Sequence, residues 1–167
     1  MGSDGASVTK TTGTYDNSNA GSGKTVTVSL ASSDYAPTGS TVLSNYTLPS
    51  SISGAVGTIT PAALTVTANN ASKTYDAVAY SGGAGVTYSG FVGGQTASVL
   101  GGTLSYSGTS QGAVNAGTYT ITPGGLSSTN YTLSYVNGSL VINRAGLSAI
   151  SGSLTGSVNK IYDGTNT

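Results

Sequence analysis

Asn130-Tyr131-Thr132-Leu133 repeats Asn45-Tyr46-Thr47-Leu48 at a distance of 85 residues. Ile59 and Leu64 trail the first copy at nearly the spacing at which Ile142 and Leu147 trail the second. A fixed return on this scale indicates tandem modules rather than one continuous domain. The expected division is 1–61, 62–145 and an opening segment 146–167. Another pair supports it: Lys73-Thr74-Tyr75-Asp76 early in the second module has a counterpart in Lys160-Ile161-Tyr162-Asp163. The linkers Thr60-Pro61-Ala62-Ala63 and Asn143-Arg144-Ala145-Gly146 are short, which restricts bending between end-joined modules. A stiff row of modules is expected.

Period-2 alternation dominates each module. Val26, Val28 and Leu30 alternate with Thr27 and Ser29; Leu64, Val66 and Ala68 with Thr65 and Thr67; Tyr119 and Ile121 with Thr118, Thr120 and Thr122; Tyr131, Leu133 and Tyr135 with Thr132 and Ser134. One face of each strand packs inward and the threonine-rich face meets water, where a β-branched side chain suits the pleat. No segment shows a 3.6-residue apolar stripe, and 26 glycines are spread along the chain. Each would cost a helix about 1 kcal/mol relative to Ala. The fold class expected is all-β: tandem small Ig-like β-sandwich modules joined end to end, with β-grasp-like sheets carrying one short helix as the alternative. Turns are expected at Ala36-Pro37-Thr38-Gly39, Ser81-Gly82-Gly83, Val92-Gly93-Gly94, Pro123-Gly124-Gly125 and Val136-Asn137-Gly138. Asn137-Gly138 gives the sharpest hairpin signal, since both central positions of a type I′ turn favour φ > 0.

Composition narrows the chemistry. Lysine and arginine total five, aspartate supplies all five acids, histidine and cysteine are absent, and the net charge is zero. Charged residues are 6% of the chain, against about 25% in an ordinary domain. Ser-His-Asp and Cys-His catalysis are impossible without His or Cys, and zinc would have to rely on Asp alone. No catalytic residue, cofactor or metal is assigned, no ligand-binding residue can be named, and the chain is not expected to be an enzyme. Asp34, Asp76 and Asp163 read as turn formers, since Asp side chains bond their own backbone. Asp16-Asn17-Ser18-Asn19 is the one cluster with a calcium-like flavour, but reads better as an Asn-rich loop. Gly93-Gly94 and Gly101-Gly102 lack the helix start and Lys-Ser/Thr of a phosphate loop. No basic patch invites nucleic acid or an anionic membrane surface, and no run of 18 apolar residues crosses a bilayer.

Three further residue classes carry alternatives. Lys24, Lys73 and Lys160 are candidates for an internal amide cross-link in a fibre, though protection of an edge strand is the plainer role. Asn45, Asn70, Asn130 and Asn137 stand in Asn-x-Ser/Thr frames; at the repeated position of Asn45 and Asn130 a structural turn ahead of a strand fits better. Tyr88, Tyr106, Tyr131 and Tyr135 would stack on sugar rings if exposed, but alternating strand positions favour half-buried core.

The second module resembles the bacterial MBG repeat through Leu64-Thr65-Val66-Thr67-Ala68 with Lys73-Thr74-Tyr75, Tyr88-Ser89-Gly90-Phe91, Asn115-Ala116-Gly117-Thr118-Tyr119 and Asn130-Tyr131-Thr132-Leu133. It carries Tyr75-Asp76 where many such repeats have Tyr-Gly. The first module, with Gly13-Thr14-Tyr15-Asp16-Asn17, Asn45-Tyr46-Thr47-Leu48 and Ile59-Thr60-Pro61, resembles the C-terminal part of the companion YDG repeat. Leu154-Thr155-Gly156-Ser157-Val158 with Lys160-Ile161-Tyr162-Asp163-Gly164 resembles the start of another YDG repeat. The resemblance implies a stalk or fibre repeat of large, secreted or surface-displayed Gram-negative filamentous-haemagglutinin-like adhesins. It implies an extracellular or bacterial cell-surface location, with a glycan- or mucin-binding module as the alternative function. Neighbouring repeats of the same protein are the expected partners. Head-to-tail or lateral self-association and host or matrix glycans are further candidates; nucleic acid and membrane insertion are not expected. Met1-Gly2-Ser3 reads as an expression scar on an excised fragment. A first module without its opening strands would leave an unpaired edge, which the segment Leu154–Thr167 of a neighbouring chain is expected to complete.

Overall fold

The structure, a computed structural model, describes residues 4–148, 152 and 159–165. Strands and three short 3-10 turns make up their regular structure, without an α-helix. The all-β expectation holds. The first unit contains β1 (Gly5–Val8), β2 (Thr14–Tyr15), β3 (Gly21–Ser29), β4 (Tyr35–Thr38) and β5 (Ser51–Ile59). β1 pairs with β4, and β3 lies between β2 and β5. The second unit contains β6 (Ala62–Ala68), β7 (Ala71–Thr74), β8 (Val86–Ser89), β9 (Gly101–Ser107), β10 (Gly117–Ser127), β11 (Tyr131–Val136) and β12 (Gly138–Asn143). It has a four-stranded sheet β7-β12-β10-β9 and a three-stranded sheet β11-β6-β8.

The alternation read from the sequence produces the second unit's core. Leu64, Val66 and Ala68 on β6 are 0%, 0% and 3% exposed, and the threonines between them face outward. Ala68 joins Ile121, Leu140, Ile142 and Ala113 in one buried cluster, flanked by Tyr80, Tyr106 and Tyr119. The cluster links both sheets, so two layers share one core.

The first two strands of this unit pair in parallel with its last two, a topology absent from the sequence reading. β6 pairs with β11 from Ala62↔Tyr131 to Thr67↔Val136, and β7 with β12 from Ala71↔Leu140 to Thr74↔Asn143. Both pairs of strands pass from one sheet to the other, β6 to β7 through Asn69-Asn70 and β11 to β12 through Asn137. The expected hairpin at Asn137-Gly138 is therefore corrected: β11 and β12 pair with β6, β7 and β10 and not with each other. Gly138 is required for a different reason. A Cβ there would lie 2.7 Å from the Ala68 carbonyl oxygen, where the two corners touch. Asn70 Oδ1 accepts the Ser139 N–H at 2.8 Å, binding one corner to the other.

Pro123-Gly124-Gly125 is corrected in the same way. It lies inside β10 as a bulge between Gly124 and Leu126, not as a turn. Gly125 has φ 84°, and a Cβ on it would meet the Thr103 oxygen at 2.2 Å. The bulge bends β10, whose first half pairs with β12 and whose second half pairs with β9. Pro37, also expected in a turn, lies in β4 opposite Ala6, and the turn begins at Gly39. Gly93 and Gly94 do form a turn, with φ 60° and 72°.

The first unit is built from the same alternation but is not closed over. Val26, Val28 and Leu30 are only half-buried, while Ile52 and Val56 are 45% and 83% exposed. Gly57 is its buried residue among those described, beneath the Tyr15 ring. The repeated tetrapeptide also diverges here. Asn45 ends a 3-10 turn and Tyr46-Thr47-Leu48 stays outside any strand, with Pro49, which has no N–H for a ladder, next in line. Its copy at Tyr131 opens β11. Of the expected third segment, Leu154–Val158 lies outside the described residues; residues 159–165 form no strand.

Candidate functional site

Two places could carry function: the junction between the units and an open groove on the first unit. The junction is short. β5 ends at Ile59 and β6 starts at Ala62, so Thr60-Pro61 is the whole connection and Ala62-Ala63 already belong to β6. Proline fixes one of the few soft dihedrals left. Beside it, Asn130 of the second unit grips the first. Its Oδ1 accepts the Ala20 N–H at 2.8 Å, and its Nδ2 donates to Asn19 Oδ1 at 3.1 Å. Its backbone oxygen accepts the Ala62 N–H at 3.0 Å. One asparagine thus binds both sides of the joint. Position 130 was expected to hold a structural turn ahead of a strand; it does, and it also spans two modules. The recurrence of Asn at this position was the only sequence signal, since its first-unit partners lie more than a hundred residues upstream.

The groove, about 370 Å³, is lined by Val8, Tyr35, Leu43, Leu48, Pro49 and Ile52 among others. Ligand sites of this size pair apolar walls with convergent polar groups. Here the main polar feature is the Tyr46 hydroxyl, which donates to Asp4 Oδ2 at 2.6 Å. That bond, more than burial, raises the Tyr46 pKa above its ordinary value. The groove lies between the β1–β4 ribbon and β5, in line with the half-covered Val26 and Val28. It has the make-up of a core face without its second layer.

The four tyrosines singled out as sugar-stacking candidates are each engaged within the fold. Tyr131 is 3% exposed; its hydroxyl donates to Gln95 and accepts the Val92 N–H, and Phe91 packs edge-on to its ring at 5.5 Å. Tyr88 packs tilted against Phe91 at 5.5 Å, and Tyr106 covers the core beside Gly83. Tyr135 is 37% exposed, but its hydroxyl is tied to the Leu126 backbone.

The four lysines each meet an aspartate. Lys73 Nζ lies 2.7 Å from Asp76 Oδ1 and donates to the Val78 oxygen; Asp76 Oδ1 also accepts the Val78 N–H. Lys160, Asp163 and Thr165 repeat this turn bond for bond. Lysine hydrogen bonding first, then the backbone N–H two residues on, lowers the pKa of Asp76 and Asp163. Both aspartates are turn formers, as their sequence setting indicated. Ala77 adopts φ 61° in the first turn, where Gly164 adopts 77° in the second. Asp34 likewise caps the Ala31 N–H. The Asp16–Asn19 loop folds around an ammonium group: Lys24 Nζ contacts Asn17 Oδ1 and lies 3.5 Å from Asp16 Oδ1. Edge protection fits Lys73 on β7 but is corrected for Lys24, because β3 is a central strand.

Residues 64–141 match the model of the MBG domain (YGX type) family. Among solved structures, a cell surface adhesin from Lactobacillus reuteri is similar at 22% identity, over 50% of this chain and 98% of that one, with a TM-score of 0.32. No curated protein matches. Among the described residues no helix is long and apolar enough to cross a membrane. The unit that holds the closed core and bonds to its neighbour through Asn130 is the one matched, and across residues 64–141 this chain is similar to the MBG domain (YGX type) family.

Proposed function

We propose that the chain is a non-enzymatic spacer segment of a secreted or surface-displayed bacterial adhesin, in which successive β modules keep a fixed relative pose. The observation that supports this reading is the junction: a two-residue connection containing Pro61, with Asn130 bonded to Asn19, Ala20 and Ala62 across it. The first unit is read as part of a YDG-like module and the second as an MBG-like spacer. Small-angle scattering of the full chain tests the reading. The expected profile is that of one elongated particle with a fixed two-unit separation; a distribution of separations typical of a free hinge overturns it.

Self-association is the second part of the proposal, and the open face of the first unit supports it. Exposed strand edges and apolar faces recruit further chain. Light scattering of the full chain beside a variant lacking residues 147–167 separates the routes. Association lost with that segment supports head-to-tail completion, and unchanged association refutes it. Glycan binding by the intact chain, abolished by a single Tyr→Ala change, would replace the spacer reading with a binding module.

A further inference from the structure

The two ends of the units match at the level of register. In the first unit Gly21 pairs with Ile59, the last residue before the connection. In the second, Gly117 pairs with Ile142, one residue before β12 ends. The tripeptide preceding each pair is the same: Asn19-Ala20-Gly21 and Asn115-Ala116-Gly117. At the inner junction Ala20 is half-buried under the second unit, and its N–H is accepted by Asn130. At the outer end Asn115 and Ala116 are exposed, beside a hollow lined by Tyr75, Ala116, Arg144, Ala145 and Leu147.

From this equivalence we infer that the Asn115-Ala116-Gly117 corner is a docking surface for the entry end of the module that follows. An asparagine at the place of Asn130 in that module accepts the Ala116 N–H and donates to Asn115. The inner junction shows the occupant and its bonds, and Ala145 stands after Ile142 where Ala62 stands after Ile59. The same asparagine bonds the first strand of its own module through its backbone oxygen. It is therefore held firmly enough to position what it grips. The latch transmits a fixed rotation from module to module, so the pose of each pair is set by side-chain bonds as well as by linker length.

The inference rests on the spacer reading only in requiring that a module follows. Its test inserts a second copy of residues 62–144, in frame, after Arg144 of the full chain. Every buried apolar side chain of that copy is supplied from within its own span. Amide hydrogen exchange at Ala116 is then compared with that in the unextended chain. The expected result is exchange roughly tenfold slower at Ala116, restored by Asn130→Ala in the inserted copy while Leu64 amides stay protected. Exchange at Ala116 unchanged by the insertion overturns the inference. A separate arm uses the unextended chain: Asn130→Ala should speed Ala20 exchange by a similar factor, and no change there also overturns it. Scattering of the extended chain keeps the two readings apart, because a longer stiff particle with an unprotected Ala116 retains the spacer and removes the latch.

Discussion

At the scale of single residues, Ile121 and Val56 are both aliphatic side chains on β strands, yet one is 0% and the other 83% exposed. Ile121→Ala should cost about 2–5 kcal/mol, because a cavity forms where both sheets meet. Val56→Ala should stay within about 0.5 kcal/mol. Urea unfolding of the two variants checks the contrast. The Lys-x-Tyr-Asp turn offers a second test. Ala77 carries a left-handed φ that Gly164 adopts without strain in the matching turn. Relief of about 1–2 kcal/mol of strain, less about 0.4–1 kcal/mol of added unfolded-state freedom, should leave Ala77→Gly more stable by up to about 1.6 kcal/mol. Thermal unfolding reads the sign directly.

The same turn sets a pH dependence. Asp76 has its folded pKa lowered by Lys73 and the Val78 N–H. A lowered carboxylate pKa contributes stability above the unfolded value and loses it as pH falls through the folded one. Nuclear magnetic resonance titration of the Asp76 carboxyl should therefore give a midpoint below 3.8, and the turn should loosen only at still lower pH. A midpoint at or above 3.8 would mean that the Lys73 bond is absent in solution.

At the scale of elements, β10 shows how a turn-like tripeptide ends up inside a strand. Gly125 admits a φ of 84° and a backbone approach that no side chain tolerates. Gly125→Ala should destabilise the second unit by about 1–3 kcal/mol and weaken the β9–β10 ladder first. Hydrogen exchange along β9 would show this as faster exchange at Leu104 and Tyr106 than at Leu140. The wrong hairpin at Asn137-Gly138 has a comparable cause. Local turn propensity was readable, but the parallel partners β6 and β7 that draw β11 and β12 into different sheets start more than sixty residues earlier in the chain. Glycine served the corner by its small size, not by its freedom in φ.

At the scale of the whole molecule, one unit has a closed core and the other an open one. Burial of apolar area is the main source of stability, so the two should melt in separate steps, the first unit at lower temperature. Calorimetry should resolve two transitions, and Ile121→Ala should move only the upper one; a single transition moved by that change would mean the junction couples the units into one cooperative body. The Lys24, Asn17 and Asp16 cluster is solvated on the aspartate side, 43% exposed. The Lys24 ammonium is held by the Asp16 carboxylate and Asn17 in a solvated loop, not in a dry pocket. Intact mass spectrometry should thus find no loss of ammonia.

The sequence by itself determined the all-β class, the apolar face of β6 with Leu64, Val66 and Ala68, and the turn roles of Asp76 and Asp163. These follow from periods of two and from local side-chain bonding, which act over a few residues. Only the tertiary structure decided the parallel pairing of the first two strands with the last two, the bulge at Gly125, the closed core of one unit beside the open face of the other, and the reach of Asn130 back to Asn19 and Ala20. Each of these depends on which distant segment arrives alongside, and that choice is made by the burial of the whole unit rather than by any stretch of it.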